Sequence, residues 1–238
     1  MSVTDYTDLP VLSQQLLLGV AEELKLPLLQ IARQAEHAQL TGQADFGKLQ
    51  TTADSALRLL DNYVLGVRLA TEPDSLDTES VSVSSVLYDT GQQLDALAKN
   101  YGVSLELGVA GKFGPVLAHR AGLQAALTSL GAALIEALPA QENCQLKLYL
   151  ATHRSRYGVV AGIYTDAKQL SGEALERGRK LQKNSRQPMT GITHTSGAGI
   201  FVADTILKAM NLRLVASRHH RLYGLGTVLQ PNHQLQLI

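Results

Sequence analysis

Val20-Ala-Glu-Glu-Leu-Lys-Leu-Pro-Leu28 is the stretch on which the reading of this chain turns. It lies inside a heptad-like pattern. Leu17, Val20, Leu24, Ile31, Ala35 and Ala38 recur at alternating steps of three and four, with one longer step across Pro27. That spacing predicts a long helix from residue 11 to about 40. Pro27 removes a backbone donor, so a kink is expected there. Thr41-Gly-Gln-Ala-Asp-Phe-Gly47 reads as a short polar turn, and Leu49, Ala53, Ala56, Leu60, Tyr63 and Val67 form a stripe on a second helix. Two such helices cannot hide both stripes alone. The economical solution is a four-helix bundle made by two chains. The alternative is a hairpin packed on the rest of its own chain.

Beyond the hairpin the pattern changes. Thr71-Glu-Pro-Asp-Ser-Leu-Asp-Thr-Glu-Ser80 is polar, with one proline and four acids, and reads as a linker. A third helix opens near Val81 and runs through Ala98, with Ser84 or Ser85 as its cap. Short strands are expected around Val103–Leu107 and Val116–Leu117, then a helix from Ala121 to Leu138. Alternating Leu, Val and Tyr predict a β-hairpin, Gln145–Thr152 with Tyr157–Thr165. A basic segment, Glu176–Thr190, leads to Gly197-Ala-Gly199 and a helix Ile200–Met210. Strands at Leu212–Ser217, Gly226–Gln230 and Gln234–Ile238 close the chain. Helices first and mixed α and β afterwards give an α+β chain in two parts. The expected boundaries are a hairpin at 1–72, a linker at 73–80 and an α/β sandwich at 81–238.

The chain of 238 residues is 45% apolar and 18% charged, which describes a folded protein and excludes a disordered one. A formal charge of zero supplies no global field for nucleic acid or acidic lipid. The lone Cys144 cannot form an internal disulfide, which fits a reducing compartment. No apolar run reaches the roughly 18–20 residues that span a bilayer, and the N-terminal MSVTDYTDLP lacks the basic start of a signal peptide. A cytoplasmic location is expected, with no membrane and no nucleic-acid partner.

In this order the elements resemble the core of a sensor histidine kinase. Its parts would be a dimerising phosphoacceptor hairpin and an ATP-binding sandwich of the GHKL type. Tyr101-Gly-Val-Ser-Leu-Glu-Leu107 resembles the entry strand of that domain. Val116-Leu-Ala-His-Arg-Ala-Gly-Leu123 resembles its strand followed by D-P-D-R-L. Gly197-Ala-Gly-Ile-Phe-Val-Ala203 resembles its second glycine box, offset so that Gly199 and Ile200 fall on the second G-L. Gly224-Leu-Gly-Thr-Val-Leu-Gln-Pro231 resembles its closing strand. Each match is weak alone; their order and spacing carry the resemblance.

The same alignment exposes losses. The family's phosphoacceptor motif, roughly S-H-E-L-R-T-P-L, places Glu22 where the histidine should stand and Glu23 at the neighbouring acid. Phosphotransfer needs an imidazole nucleophile, for which a carboxylate is a poor stand-in. The two asparagines of the family's N box fall on Ser129 and Ala133. Alanine offers magnesium no oxygen, although Glu136 lies one turn further along. The first glycine box puts Thr165 at the adenine-reading aspartate, and Ala167 and Gln169 at the glycines. Asp166 is one residue off, which on a strand means the other face. Gly197 and Gly199, expected just before a helix N-terminus, suit either helix capping or an anion. His37, 15 residues beyond Glu22, reads as a surface histidine. His219-His220, between Arg218 and Arg221, reads as an exposed basic turn. The lid equivalent, Glu176–Thr190, carries five basic residues and reads as a solvated loop.

The resemblance therefore implies a degenerate, homodimeric histidine-kinase-like protein with no catalytic residue, cofactor or metal expected. Ser129, Ala133, Thr165, Ala167, Gly197 and Gly199 would outline a vestigial ATP cleft. Glu22, Glu23, Lys25 and Arg33 would form a docking surface for a response regulator or a histidine kinase. Two alternatives stay open. One is an active, divergent kinase, phosphotransferase or GHKL ATPase using Mg-ATP and a relocated histidine. The other is a cytoplasmic ligand sensor using the vacated cleft.

Overall fold

A computed structural model describes residues 9–72, 77–109, 113–137, 147–166 and 197–232. Helix α1, Leu9–Thr41, passes through Pro27 and continues. It stops at Gly42, whose φ of +70° suits glycine and whose N–H donates to Ala38 O at 2.9 Å. Helix α2, Phe46–Thr71, begins on Asp45, whose carboxylate accepts from Lys48 N at 3.0 Å. These are the predicted hairpin and turn.

Strand β1, Glu79–Val81, falls partly inside the stretch read as a linker. Its two polar residues hid it from a pattern search; it pairs antiparallel with β3, Val116–Ala118. Helix α3 spans Val83–Asn100. Its cap is Ser82, whose hydroxyl accepts from Ser85 N at 3.4 Å, so neither Ser84 nor Ser85 fills that role. Strand β2 is Ser104–Gly108 and helix α4 is Arg120–Ala137. Strands β4, Lys147–Ser155, and β5, Gly158–Thr165, form the expected hairpin. Helix α5, Gly197–Ala209, starts three residues before the expected Ile200, so Gly197 and Gly199 belong to its first turn and do not precede it. Strands β6, Leu214–His219, and β7, Leu222–Leu229, follow. The lid equivalent, Ala167, and the strand expected at Gln234–Ile238 lie outside the described residues.

The main sheet has the order β2-β4-β5-β7-β6, with β2 and β4 parallel and the other pairs antiparallel. Leu150, Ile163 and Leu225 stand in one row across three strands, and all are buried. They face α3, α4 and α5 in one continuous core. The hairpin forms a third layer over those helices. Leu24, Leu60, Tyr63 and Val67 pack against the core, and Leu69 is fully part of it. The stripe expected at a dimer seam is thus used, at least in part, within the chain. The periodicity is the same whichever surface covers it.

Close approach between layers depends on small residues. A Cβ on Gly66 of α2 would stand 3.1 Å from Ile206 of α5. One on Gly131 of α4 would overlap Leu94 of α3 outright. Gly131→Val is expected to destabilise the fold by about 1–3 kcal/mol through overpacking. Leu94→Ala in the same chain should return part of that loss. Denaturant titration of both single variants and the pair checks the coupling.

Candidate functional site

Helix α2 presents Lys48, Thr52, Ser55, Leu59 and Asn62 at steps of three and four, which puts them on one face. That face meets α4 at Thr128, Ser129, Ala132, Ala133 and Glu136, again at helical spacing. Between them, with Pro27, Gln30, Arg33 and Gln34 of α1 and Leu94, Leu97 and Asn100 of α3, lies a cavity of about 310 Å³. Ala56, Arg58, Gln93, Tyr101 and Gly199 complete its wall.

The cavity gathers several residues singled out from the sequence. Ser129, Ala133, Glu136 and Gly199 line it together, and Arg33 joins them from the hairpin. Thr165 does not. It is buried at the end of β5, in register with Leu148 on one side and Tyr223 on the other. Asp166, one residue on, is exposed. Lys25 is exposed on α1, and His37 is exposed further along it. Glu22 and Glu23 lie within α1, but their side chains are outside the described set. Gly197 is the first residue of α5.

Polar contacts stitch the cavity wall. Asn62 Nδ2 donates to Ser129 Oγ at 2.9 Å, joining the hairpin to α4. Thr128 Oγ1 donates to Gln93 Oε1 at 2.9 Å, and Arg58 donates to the Gln93 carbonyl. Gln30 Nε2 donates to Tyr101 Oη at 3.3 Å. Gln34 Oε1 is buried and has no partner among the described residues. Sequence reading missed Asn62, Gln34 and Tyr101. The available signal was the polar row Lys48, Thr52, Ser55 and Asn62 beside the apolar stripe of α2; such a row is usually solvated, and here Thr52 is buried and Ser55 and Asn62 are half-buried while Lys48 stays exposed.

Burial pushes the Glu136 carboxyl up to about 7 from its ordinary 4.5, because the charged form loses hydration. Burial first, and Glu136 nearby, raise the Tyr101 phenol against the lowering effect of its bond with Gln30.

A second cluster sits on the opposite face of the sheet. Tyr164 is fully buried there, with its hydroxyl 3.4 Å from His153 Nδ1 and 3.3 Å from Ser217 Oγ. The His219 ring centroid is 5.4 Å from both His153 and Tyr164. His220 enters the turn at φ 53° and packs edge-on against His219 at 4.4 Å. The expected basic turn is present, and it begins between the two histidines, which brings their rings into contact. Burial, and secondly His220, hold His153 below the ordinary imidazole range, and the same two causes lead for His219. Burial raises the Tyr164 phenol to about 12. Among the described residues, no group of three His, Cys, Asp or Glu side chains could hold a metal ion. No helix among them is long and apolar enough to cross a membrane.

Neither a protein-family model nor a curated protein sequence matches this chain. Solved structures do. The chain is similar to the Acinetobacter baumannii histidine kinase AdeS, with a TM-score of 0.54 and 15% identity over 89% of this chain and 98% of that one. It is also similar to full-length ShkA in complex with AMPPNP, with a TM-score of 0.54 and 13% identity over 95% of this chain and 46% of that one. The fold is that of a histidine kinase catalytic core: a helical hairpin followed by a mixed sheet with helices.

Because the folded state holds the proton on Glu136 up to about pH 7 while an unfolded chain releases it near 4.5, stability falls as pH rises through that window. Glu136→Gln removes the penalty. The variant is expected to gain up to about 3 kcal/mol over the parent at pH 8 and little at pH 4.5. Denaturant midpoints at the two pH values check this.

Proposed function

We propose that this chain is a histidine-kinase-like pseudokinase of a two-component-type system. It acts in the cytoplasm as a homodimeric scaffold that binds a response regulator or a histidine kinase and does not phosphorylate itself. The observation that carries the reading is the bond from Asn62 to Ser129. It places the hairpin over the helix face that, in the resembled family, handles magnesium and phosphates.

The residues at that face are a poor match for a magnesium nucleotide. Ala133 supplies no oxygen, and Ser129 is engaged by Asn62. Thr165 sits buried in the sheet where an adenine reader would stand. Glu22 stands in for the phosphoacceptor histidine. Among the described residues Glu136 is the one carboxyl on the cavity wall, and below pH 7 it holds its proton. A neutral acid is a weak magnesium ligand.

The dimer is supported by what the hairpin leaves uncovered. Leu28 and Leu29 on α1 and Leu57 and Val64 on α2 are each more than half exposed. Leu57 and Val64 are one heptad apart, on a face suited to a second copy and a closed four-helix bundle. Lys25 and Arg33, exposed on α1 near Glu22 and Glu23, supply the charges of the docking surface.

Calorimetric titration with Mg-ATP is expected to show no binding and no autophosphorylation; micromolar binding would sink the pseudokinase reading. Glu22→His is expected to remain inactive, since the nucleotide face is altered independently. For assembly, light scattering should give the mass of two chains, and Leu57→Glu with Val64→Glu should reduce it to one. A parent that runs as a single chain contradicts the dimer.

A further inference from the structure

The cavity between the hairpin and helices α3 and α4 has a lopsided chemistry. Among the described residues, Arg33, Lys48 and Arg58 bring three cations to its wall, against the single carboxyl of Glu136. Arg33 and Lys48 line the cavity while remaining exposed, and neither forms an ion pair with a described residue. Leu59, Leu94 and Leu97 supply apolar wall. A volume of about 310 Å³ lies within the size range of small-molecule sites.

We infer that this cavity binds a small organic carboxylate with an apolar body. The carboxylate meets Arg33, Lys48 and Arg58. The apolar body lies against Leu59, Leu94 and Leu97. Two walls come from the hairpin and two from α3 and α4, so the ligand favours the docked hairpin over any arrangement that parts these layers. The site then reports a cytosolic metabolite to the surface on which α1 and α2 would dock partners. The inference rests on the reading above in one respect, that a magnesium nucleotide is not the occupant.

The test uses the full chain and 1-anilinonaphthalene-8-sulfonate, an organic anion with an aromatic body. Saturable binding of one dye per chain is expected. Indole-3-acetate, a carboxylate with an aromatic body, should displace it, and indole should not. Arg33→Glu with Lys48→Glu changes two exposed side chains, so the circular dichroism should be unchanged while dye affinity falls about tenfold or more. Ser55→Phe should fill the cavity and abolish binding; if that variant does not fold, the charge-reversal pair still decides. Binding that is unsaturable, that indole displaces as well as the acid does, or that ignores the charge reversal overturns the inference. Displacement by Mg-ATP at micromolar concentration overturns the pseudokinase reading instead. Failure of indole-3-acetate to compete while Mg-ATP is inert overturns the carboxylate site alone.

Discussion

Helix α4 is apolar around most of its circumference, and such a helix must be covered on more than one side. Leu123, Leu127, Leu130, Leu134 and Ile135 are all buried, as are Ala125, Ala126 and Ala133 between them. The sheet covers one side. Helices α3 and α5 flank it, α3 closely enough that Gly131 leaves no room for a side chain. The hairpin covers the rest through Asn62 and the residues around it. At the N-terminal end, Arg120 reaches Asp89 at 2.7 Å and Ser85 at 3.1 Å, fixing α4 against α3. That pair is partly exposed and adds little stability; its effect is on register.

The cover decides what the site can do. The face of α4 carrying Ser129 and Ala133 looks into a cavity shared with the hairpin, and the Ser129 hydroxyl accepts from Asn62. Ala133 has no polar group to satisfy, which lets α4 bury that side, and an amide from the hairpin satisfies the Ser129 hydroxyl beside it.

The sequence carried the fold further than the site. The β4–β5 hairpin was legible because Leu148, Leu150, Val159 and Ile163 alternate, and α1 and α2 because their stripes persist over many turns. Strand β1 was not legible, since Glu79 and Ser80 are polar and its partner β3 is 35 residues away or more. The site was half legible. Ser129, Ala133 and Gly199 were placed by resemblance and do converge. Asn62, Gln34 and Tyr101 were missed, because a polar residue on a helix reads as solvated until the surface opposite it is known. Periodicity records that Leu60, Tyr63 and Val67 share a face. It does not record whether that face meets a second copy or the chain's own α5.

The two titratable clusters act on stability in opposite directions. Glu136, raised to about 7, favours the folded state at low pH and loses that advantage as pH climbs from 4.5. His153 and His219, lowered chiefly by burial, favour the folded state when neutral and lose that advantage as pH falls below their ordinary 6.5. Between about 4.5 and 6.5 one slope partly offsets the other. The clusters lie on opposite sides of the sheet, with Glu136 at the hairpin and the histidines against Tyr164. The two clusters therefore respond to mild acid in opposite senses, Glu136 gaining and the histidines losing their preference for the folded state.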